Sequence, residues 1–335
     1  MELFDNGTWL PLAFAALMLL ATYVYAVLDG YDIGVGILMN NADEHQRDLM
    51  ISSIGPFWDA NETWLVLAVG LLLIAFPYAH GIVLTNLYLP VAFMLFGLII
   101  RGVSFDFRAK AKSEHKQTWD NAFIFGSTLM AFSQGYMLGK YLLGFMEGAA
   151  AMAFCATVGL AAITSYVLMG ASWLMMKSSG ALQKRAIKWA IMSLYGTAFG
   201  ISLISITLPL MSERVFDRWF AGDNFLYLMP IPLFSVLLVG YLRFLLYSRT
   251  EDICRRKCWI PFACTAALFL LSFIGIGYSF YPYIVPEQLT IVEAAAAPES
   301  LMFILIGALI VLPFLIGYTI FSYRVFHGKT VETLY

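Results

Sequence analysis

The sequence predicts an all-α fold: a polytopic transmembrane bundle of about nine helices, with its amino terminus outside and its carboxyl terminus in the cytoplasm. Three observations carry that expectation. The composition is 61% apolar and 13% charged, against roughly 25% charged residues in soluble domains. Apolar runs recur at the length of a bilayer crossing, about 20 residues for a hydrocarbon core of roughly 30 Å. The basic residues collect on alternate connections, and that asymmetry sets orientation.

Taken in order, the runs cover about 10–36, 55–77, 81–101, 120–143, 149–176, 187–209, 225–247, 259–281 and 300–322. Pro56, Pro77, Pro209 and Pro282 mark starts and stops. The first run follows Met-Glu-Leu-Phe-Asp, which lacks a basic leader region, so it reads as a retained helix and not a cleaved signal. Of the 20 Lys and Arg residues, 17 fall after the odd-numbered runs, and only Lys140, Arg214 and Arg218 fall on the other side. One missed span would mix the two sets. The connections at about 37–54, 102–119 and 282–299 are too short for a soluble domain, so residues 1–335 read as one integral membrane domain, with motif-bearing helices in 10–108 and the remaining helices in 120–322. No short-period repeat is present, and no matched pair of broken helices of the transporter kind.

Orientation gathers scattered acids into one layer. Asp29 and Asp32 lie near the cytoplasmic end of the first run, at the i, i+3 spacing that shares a helix face. Gly30, Gly34 and Gly36 beside them include a small-xxx-small step that lets another helix backbone approach closely. The second run opens on that same side with Gly-Pro-Phe-Trp-Asp-Ala-Asn-Glu-Thr-Trp, where Ser53 is a candidate cap and Pro56 an early helical residue. Asp59 and Glu62 therefore enter at the same depth, flanked by Trp58 and Asn61. The third run closes with Arg101 and Asp106 at that level. Ionisable residues inside a membrane are costly enough to suggest function. The plainer readings are a carboxylate facing interfacial water, strongest for Asp106, and a capping-box role for Glu62. As a layer, neighbouring and half-buried carboxyl groups can exchange protons near neutral pH, while Arg101 would hold its partner ionised.

Other chemistry is poorly supported. Gly30–Gly36 is glycine-rich but follows no strand, so it is no dinucleotide loop. Cys254 and Cys258 lack a second ligand pair, and nothing in the four cysteines suggests a disulfide framework. His45, His80, His115 and His327 are dispersed in loops, at a turn and in the tail, away from the mid-membrane position a haem ligand would take. No metal site is expected, no catalytic residue is assigned, and no nucleic acid partner is implied.

The runs Leu-Asp-Gly-Tyr-Asp-Ile-Gly-Val-Gly (28–36), Gly-Pro-Phe-Trp-Asp-Ala-Asn-Glu-Thr-Trp-Leu (55–65) and Arg-Gly-Val-Ser-Phe-Asp-Phe-Arg (101–108) resemble subunit II of the cytochrome bd-type quinol oxidases. The moderate length is also similar to the cyanide-insensitive branch. The resemblance implies a subunit of a terminal oxidase of the bacterial inner membrane that oxidises quinol and reduces dioxygen to water. It implies haem b and haem d in a partner subunit I, and it leaves room for a small accessory membrane subunit, a structural quinone and bound membrane lipid. It further implies a cytoplasmic proton path, with Asp59 carried from the Trp-Asp motif, Asp106 from Phe-Asp-Phe, and Asp29 and Asp32 from Asp-Gly-x-Asp; Glu62 joins them by position. Phe57 departs from a histidine found in some members, so no role of that histidine is carried over. A secondary transporter or ion exchanger would also bury carboxylates in a bundle, although nearer the midplane. A non-catalytic scaffold would explain the helices but not three acidic motifs at one depth.

Overall fold

In lipid, a chain this apolar must satisfy its backbone groups internally, and helices do so within each segment. The computed structural model describes residues 6–222 and 224–330, apart from the side chains of Asn6, Ser113, Glu114, Cys254 and Arg255, and it is helical almost throughout. The terminal residues, on which the expected orientation of the ends falls, and the Cys254 thiol lie outside the described set.

Each expected run corresponds to a helix. The first is α1 (Asn6–Leu38), followed by the short α2 (Glu44–Ile54), then α3 (Trp58–Ala75), α4 (Pro77–Lys110), α5 (Ser113–Leu142), α6 (Ala149–Lys177) and α7 (Gly180–Met211). Two short helices, α8 (Glu213–Phe220) and α9 (Asn224–Leu228), lead into α10 (Pro230–Ser248), α11 (Thr250–Arg255) and α12 (Ile260–Phe280). A hairpin, β1 (Tyr283–Val285) and β2 (Leu289–Thr290), and a single turn, α13 (Ile291–Ala294), precede the last helix, α14 (Pro298–Val325). Eight of the described helices are long and apolar enough to cross a membrane. The run expected at 120–143 is α5, which at 30 residues extends about 45 Å but is more polar than the rest. Its polar side chains Asp120, Ser127 and Ser133 are buried, and it packs along α4 on one side and α6 on the other.

Prolines open several helices where a missing N–H costs nothing, as at Pro77, Pro230, Pro261 and Pro298. The start of α3 differs from expectation. Ser53 does not cap it: that residue lies in the last turn of α2, where its hydroxyl donates to Met50 O. Pro56 sits in the intervening turn, and Phe57 precedes the helix with no side-chain cap. The connection at 37–54 is thus mostly helix, with Asp43 capping α2 through Gln46 N. The connection at 282–299 is also ordered. Thr290 and Glu293 form a reciprocal capping box there, and the Thr290 hydroxyl, then its N–H, holds the Glu293 carboxyl below its ordinary range.

Helix α1 is the axis of the bundle, in contact with α3, α5, α6, α12 and α14. It meets α6 nearly backbone to backbone. A Cβ built on Gly34 would stand 1.8 Å from Tyr166 O, and one on Gly170 would stand 2.5 Å from Gly34 C. Gly30 faces the Tyr166 ring and Gly36 the Ser127 hydroxyl, each too close for another atom. The main apolar core surrounds this half of α1, with Tyr31, Ile33, Met39, Trp173 and Leu174 buried. A second cluster, including Leu10, Phe14, Phe76, Val285 and Leu301, closes the opposite end.

Candidate functional site

Because the second half of α1 is enclosed, any polar residue there must find partners inside the protein. Asp29 and Asp32 are both 0% exposed. Arg101, also 0% exposed, reaches in from α4: its Nη2 donates to Asp29 Oδ1 at 2.6 Å, and its Nη1 lies 3.2 Å from Glu62 Oε1. Met130 Sδ accepts from the same Nη1 at 3.7 Å. Glu62, on α3, is therefore an ion-pair partner and not the capping-box residue its position allowed.

Asp32 has a different environment. Asn61 Nδ2 donates to Asp32 Oδ2 at 2.8 Å and to the Tyr31 hydroxyl at 2.9 Å, with Leu28 O at 3.2 Å. Tyr323, from the far end of the chain, donates to Asn61 Oδ1 at 3.2 Å, and its oxygen is 2.6 Å from that of Tyr31. Five helices, α1, α3, α4, α5 and α14, thus converge on three carboxyl groups and one guanidinium. Arg101 satisfies one aspartate and approaches the glutamate; Asp32 has an amide in place of a cation. Several buried atoms keep spare capacity: Asp29 Oδ2, Asp32 Oδ1, Trp64 Nε1 and Arg101 Nε have no hydrogen-bond partner among the described residues. Such groups are expensive where the dielectric is low, and carboxyl oxygens with open positions are what proton exchange requires.

The structure separates residues that the sequence placed at one depth. Asp29, Asp32, Asn61, Glu62 and Arg101 come together, but Asp59 and Asp106 are exposed on the outer faces of α3 and α4. Helical phase explains this. Phe57, Asn61, Trp64 and Ala68 turn inward on α3, while Asp59 shares the outward face with Val66 and Leu73. Trp58 packs against Phe105 at 4.8 Å, between the two helices, so Asp59 is not wedged in the aromatic and amide setting expected of it. On α4, Asp106 and Phe107 point outward while Arg108 points in. Arg108 Nε donates to Asp120 Oδ1 at 2.5 Å and its Nη2 to Asp48 Oδ1 at 2.8 Å, and Arg47 joins Asp120 at 3.2 Å. This second network fastens α2, α4 and α5 beside the carboxyl cluster.

Sequence reasoning missed Tyr31, Tyr323 and the Arg108–Asp120 pair. Tyr31 stands between the two motif aspartates, which was a usable signal. Tyr323 had none, because an aromatic near a span end ordinarily marks the membrane interface. Among the described residues no group of three or more His, Cys, Asp or Glu could hold a metal ion. His45, His115 and His327 are exposed and His80 lies in the first turn of α4, so the described histidines do not fit an axial haem ligand.

Residues 10–326 match the protein family described as Cytochrome bd terminal oxidase subunit II. A Bacillus subtilis relative, "Cytochrome bd ubiquinol oxidase subunit 2", is 30% identical over 322 residues, covering 90% of this chain and 91% of the relative. The Escherichia coli "Cytochrome bd-I ubiquinol oxidase subunit 2" is 24% identical over 354 residues, with 92% of each chain covered. The solved bd oxidase of Geobacillus thermodenitrificans contains a chain of the same fold, with a TM-score of 0.79 at 18% identity, covering 95% of this chain and 99% of that one.

Proposed function

Since this chain belongs to the cytochrome bd terminal oxidase subunit II family, we propose that it is the subunit that completes a quinol oxidase and supplies cytoplasmic protons to a haem-bearing subunit I. Membership makes it a multi-pass membrane subunit of an oxidoreductase complex that contains haem and a subunit I. The finer reading is that quinol is oxidised and dioxygen reduced to water in the complex. The haems b and d would sit in subunit I, where they supply the electron transfer and oxygen chemistry. The complex would lie in the bacterial inner membrane, with the basic connections of this chain in the cytoplasm, and a small accessory subunit and a structural quinone fit the same reading.

The observation that carries the proton role is the buried carboxyl cluster, in which one guanidinium serves Asp29 and Glu62 while Asp32 has only an amide donor. Reducing dioxygen to water consumes protons, and the exposed Asp59 and Asp106 are suited to collect them from water. Glu62 is partly exposed, at 18% for its side chain, so it can take up a proton at a carboxyl oxygen and pass it inward. Asp29 and Asp32, each with one open oxygen, can receive it. Arg101 fixes Asp29 and limits how many negative charges the layer carries. An ion exchanger is the weaker reading, because family membership supplies a consumer for the protons.

The test is Asp32→Asn in the purified complex, assayed as turnover per haem. Replacing one proton-transfer group predicts a fall of roughly 100-fold or less, with haem content near wild type. Unchanged turnover per haem would remove Asp32 from the path.

A further inference from the structure

Asn61 has two N–H donors and one acceptor oxygen to distribute, and the surrounding distances fit an assignment that gives each tyrosine hydroxyl both a donor and an acceptor role. Its Nδ2 donates to the Tyr31 hydroxyl at 2.9 Å; Tyr31 donates to Tyr323 across 2.6 Å; Tyr323 donates to Asn61 Oδ1 at 3.2 Å. These three groups close a ring in which every hydroxyl gives one bond and takes one. The second N–H of Nδ2 goes to Asp32 Oδ2 at 2.8 Å, with Leu28 O beside it at 3.2 Å. Bonds arranged head to tail in this way reinforce one another.

Tyr323 is a guest at this site. Only 6% of the apolar stretch of α14 is buried, and most of its length packs little against the rest of the chain. Its cluster end is fastened instead. Phe57 stacks on the Tyr323 ring at 4.6 Å. Lys177 Nζ, 5.2 Å from the centroid of the Phe57 ring, donates to Phe326 O at 2.5 Å. Beyond it, Lys329 Nζ donates to Ser178 O at 2.7 Å and Thr330 N to Lys177 O at 2.7 Å. Residues 326–330 thus form a strap that ties the end of α14 to the end of α6.

We propose that Tyr323 is a positioning residue for Asp32: it pins Asn61 Oδ1, so that Nδ2 stays turned toward the carboxyl group. Without the Tyr323 hydroxyl, Oδ1 loses the donor that pins it, and only the Tyr31 and Leu28 contacts of Nδ2 oppose a turn of the amide that would present Oδ1 to Asp32 Oδ2, two acceptors face to face. The proposal rests on the reading of Asp32 as a proton carrier, and it adds that the last helix of the chain controls the donor that carrier sees.

Tyr323→Phe keeps the ring on Phe57 and leaves the strap intact. In the purified complex, turnover per haem at saturating quinol should fall about 2- to 10-fold, the range a single hydrogen bond carries, while haem content and the KM for quinol stay unchanged. The carboxyl stretching band that Asp32→Asn removes from the infrared difference spectrum should shift in Tyr323→Phe. On the Asp32→Asn background, Tyr323→Phe should cost nothing further. A drop in Asp32→Asn with neither a drop nor a band shift in Tyr323→Phe overturns the positioning role and leaves the proton reading standing. Additive losses overturn it as well, since they indicate an independent packing effect. If Asp32→Asn keeps full turnover, the proton reading fails, and the band alone decides: a shift supports the positioning, an unmoved band refutes it.

Discussion

Replacing Gly34 by alanine should separate α1 from α6 and disable the carboxyl cluster without touching an ionisable group. The new Cβ would stand 1.8 Å from Tyr166 O, where ordinary contact begins at 3.4 Å, so the helices must part by about 1.6 Å. No rotamer relieves this, because the obstacle is the backbone of α6, including Gly170 N at 2.9 Å. Overpacking of a well-filled core typically costs about 1–3 kcal/mol, and a backbone obstacle puts this site at or above the upper figure. About 3 kcal/mol lowers the folded-to-unfolded ratio more than a hundredfold. Asp32 lies two residues away, and its 2.8 Å bond to Asn61 has no slack to follow such a shift. The assay is the melting temperature of the assembled complex, with turnover per haem in whatever survives. Gly240→Ala in α10 is the control, since nothing lies within 4 Å of a Cβ there; it should be neutral or up to about 1 kcal/mol stabilising. Equal melting temperatures and activities for the two variants would refute the close crossing.

Two further outcomes can be checked. Arg101→Gln strips the cation from two carboxyl groups, Asp29 and Glu62, and breaking a buried pair costs about 3–5 kcal/mol, so complex yield should collapse; adding Asp29→Asn should recover part of it, Arg101→Lys should not match the wild type because a lysine cannot fork between two acids, and wild-type yield in Arg101→Gln would exclude a dry cluster. Reporter fusions after Lys112 and Lys184 should report cytoplasm and one after Glu293 the outside; a cytoplasmic signal at Glu293 would invert or shorten the proposed topology.

Depth was legible in this sequence, but direction around each helix was not. The positions of Asp29, Asp59, Glu62, Arg101 and Asp106 within their spans fix how far each lies along the bundle. A membrane helix that is apolar on every side gives no amphipathic stripe to say which face is inside, so Asp59 and Asp106 could be ranked with Glu62 and Arg101 although they face outward. The i, i+3 spacing of Asp29 and Asp32 needed no such information, because both lie on the enclosed second half of α1. α2 was hidden for a related reason: Glu44–Ile54 mixes charged residues with a short apolar set, Met50, Ile51 and Ile54, and is too short to register as a span. The partnership of Tyr31 with Tyr323 lies 292 residues apart, beyond any local pattern.

That separation also has a meaning in time. Translation at about 5–20 residues per second takes roughly fifteen seconds to a minute to cover the 292 residues between the two tyrosines. Asp29, Asn61 and Arg101 emerge early and can pair as soon as α4 inserts. The Asn61 amide stays unpinned until α14 leaves the ribosome and its strap reaches Lys177. The cluster is therefore completed only after α14 has been made, and a chain that stalls before α14 carries all the acids of the site without the hydroxyl that orients them.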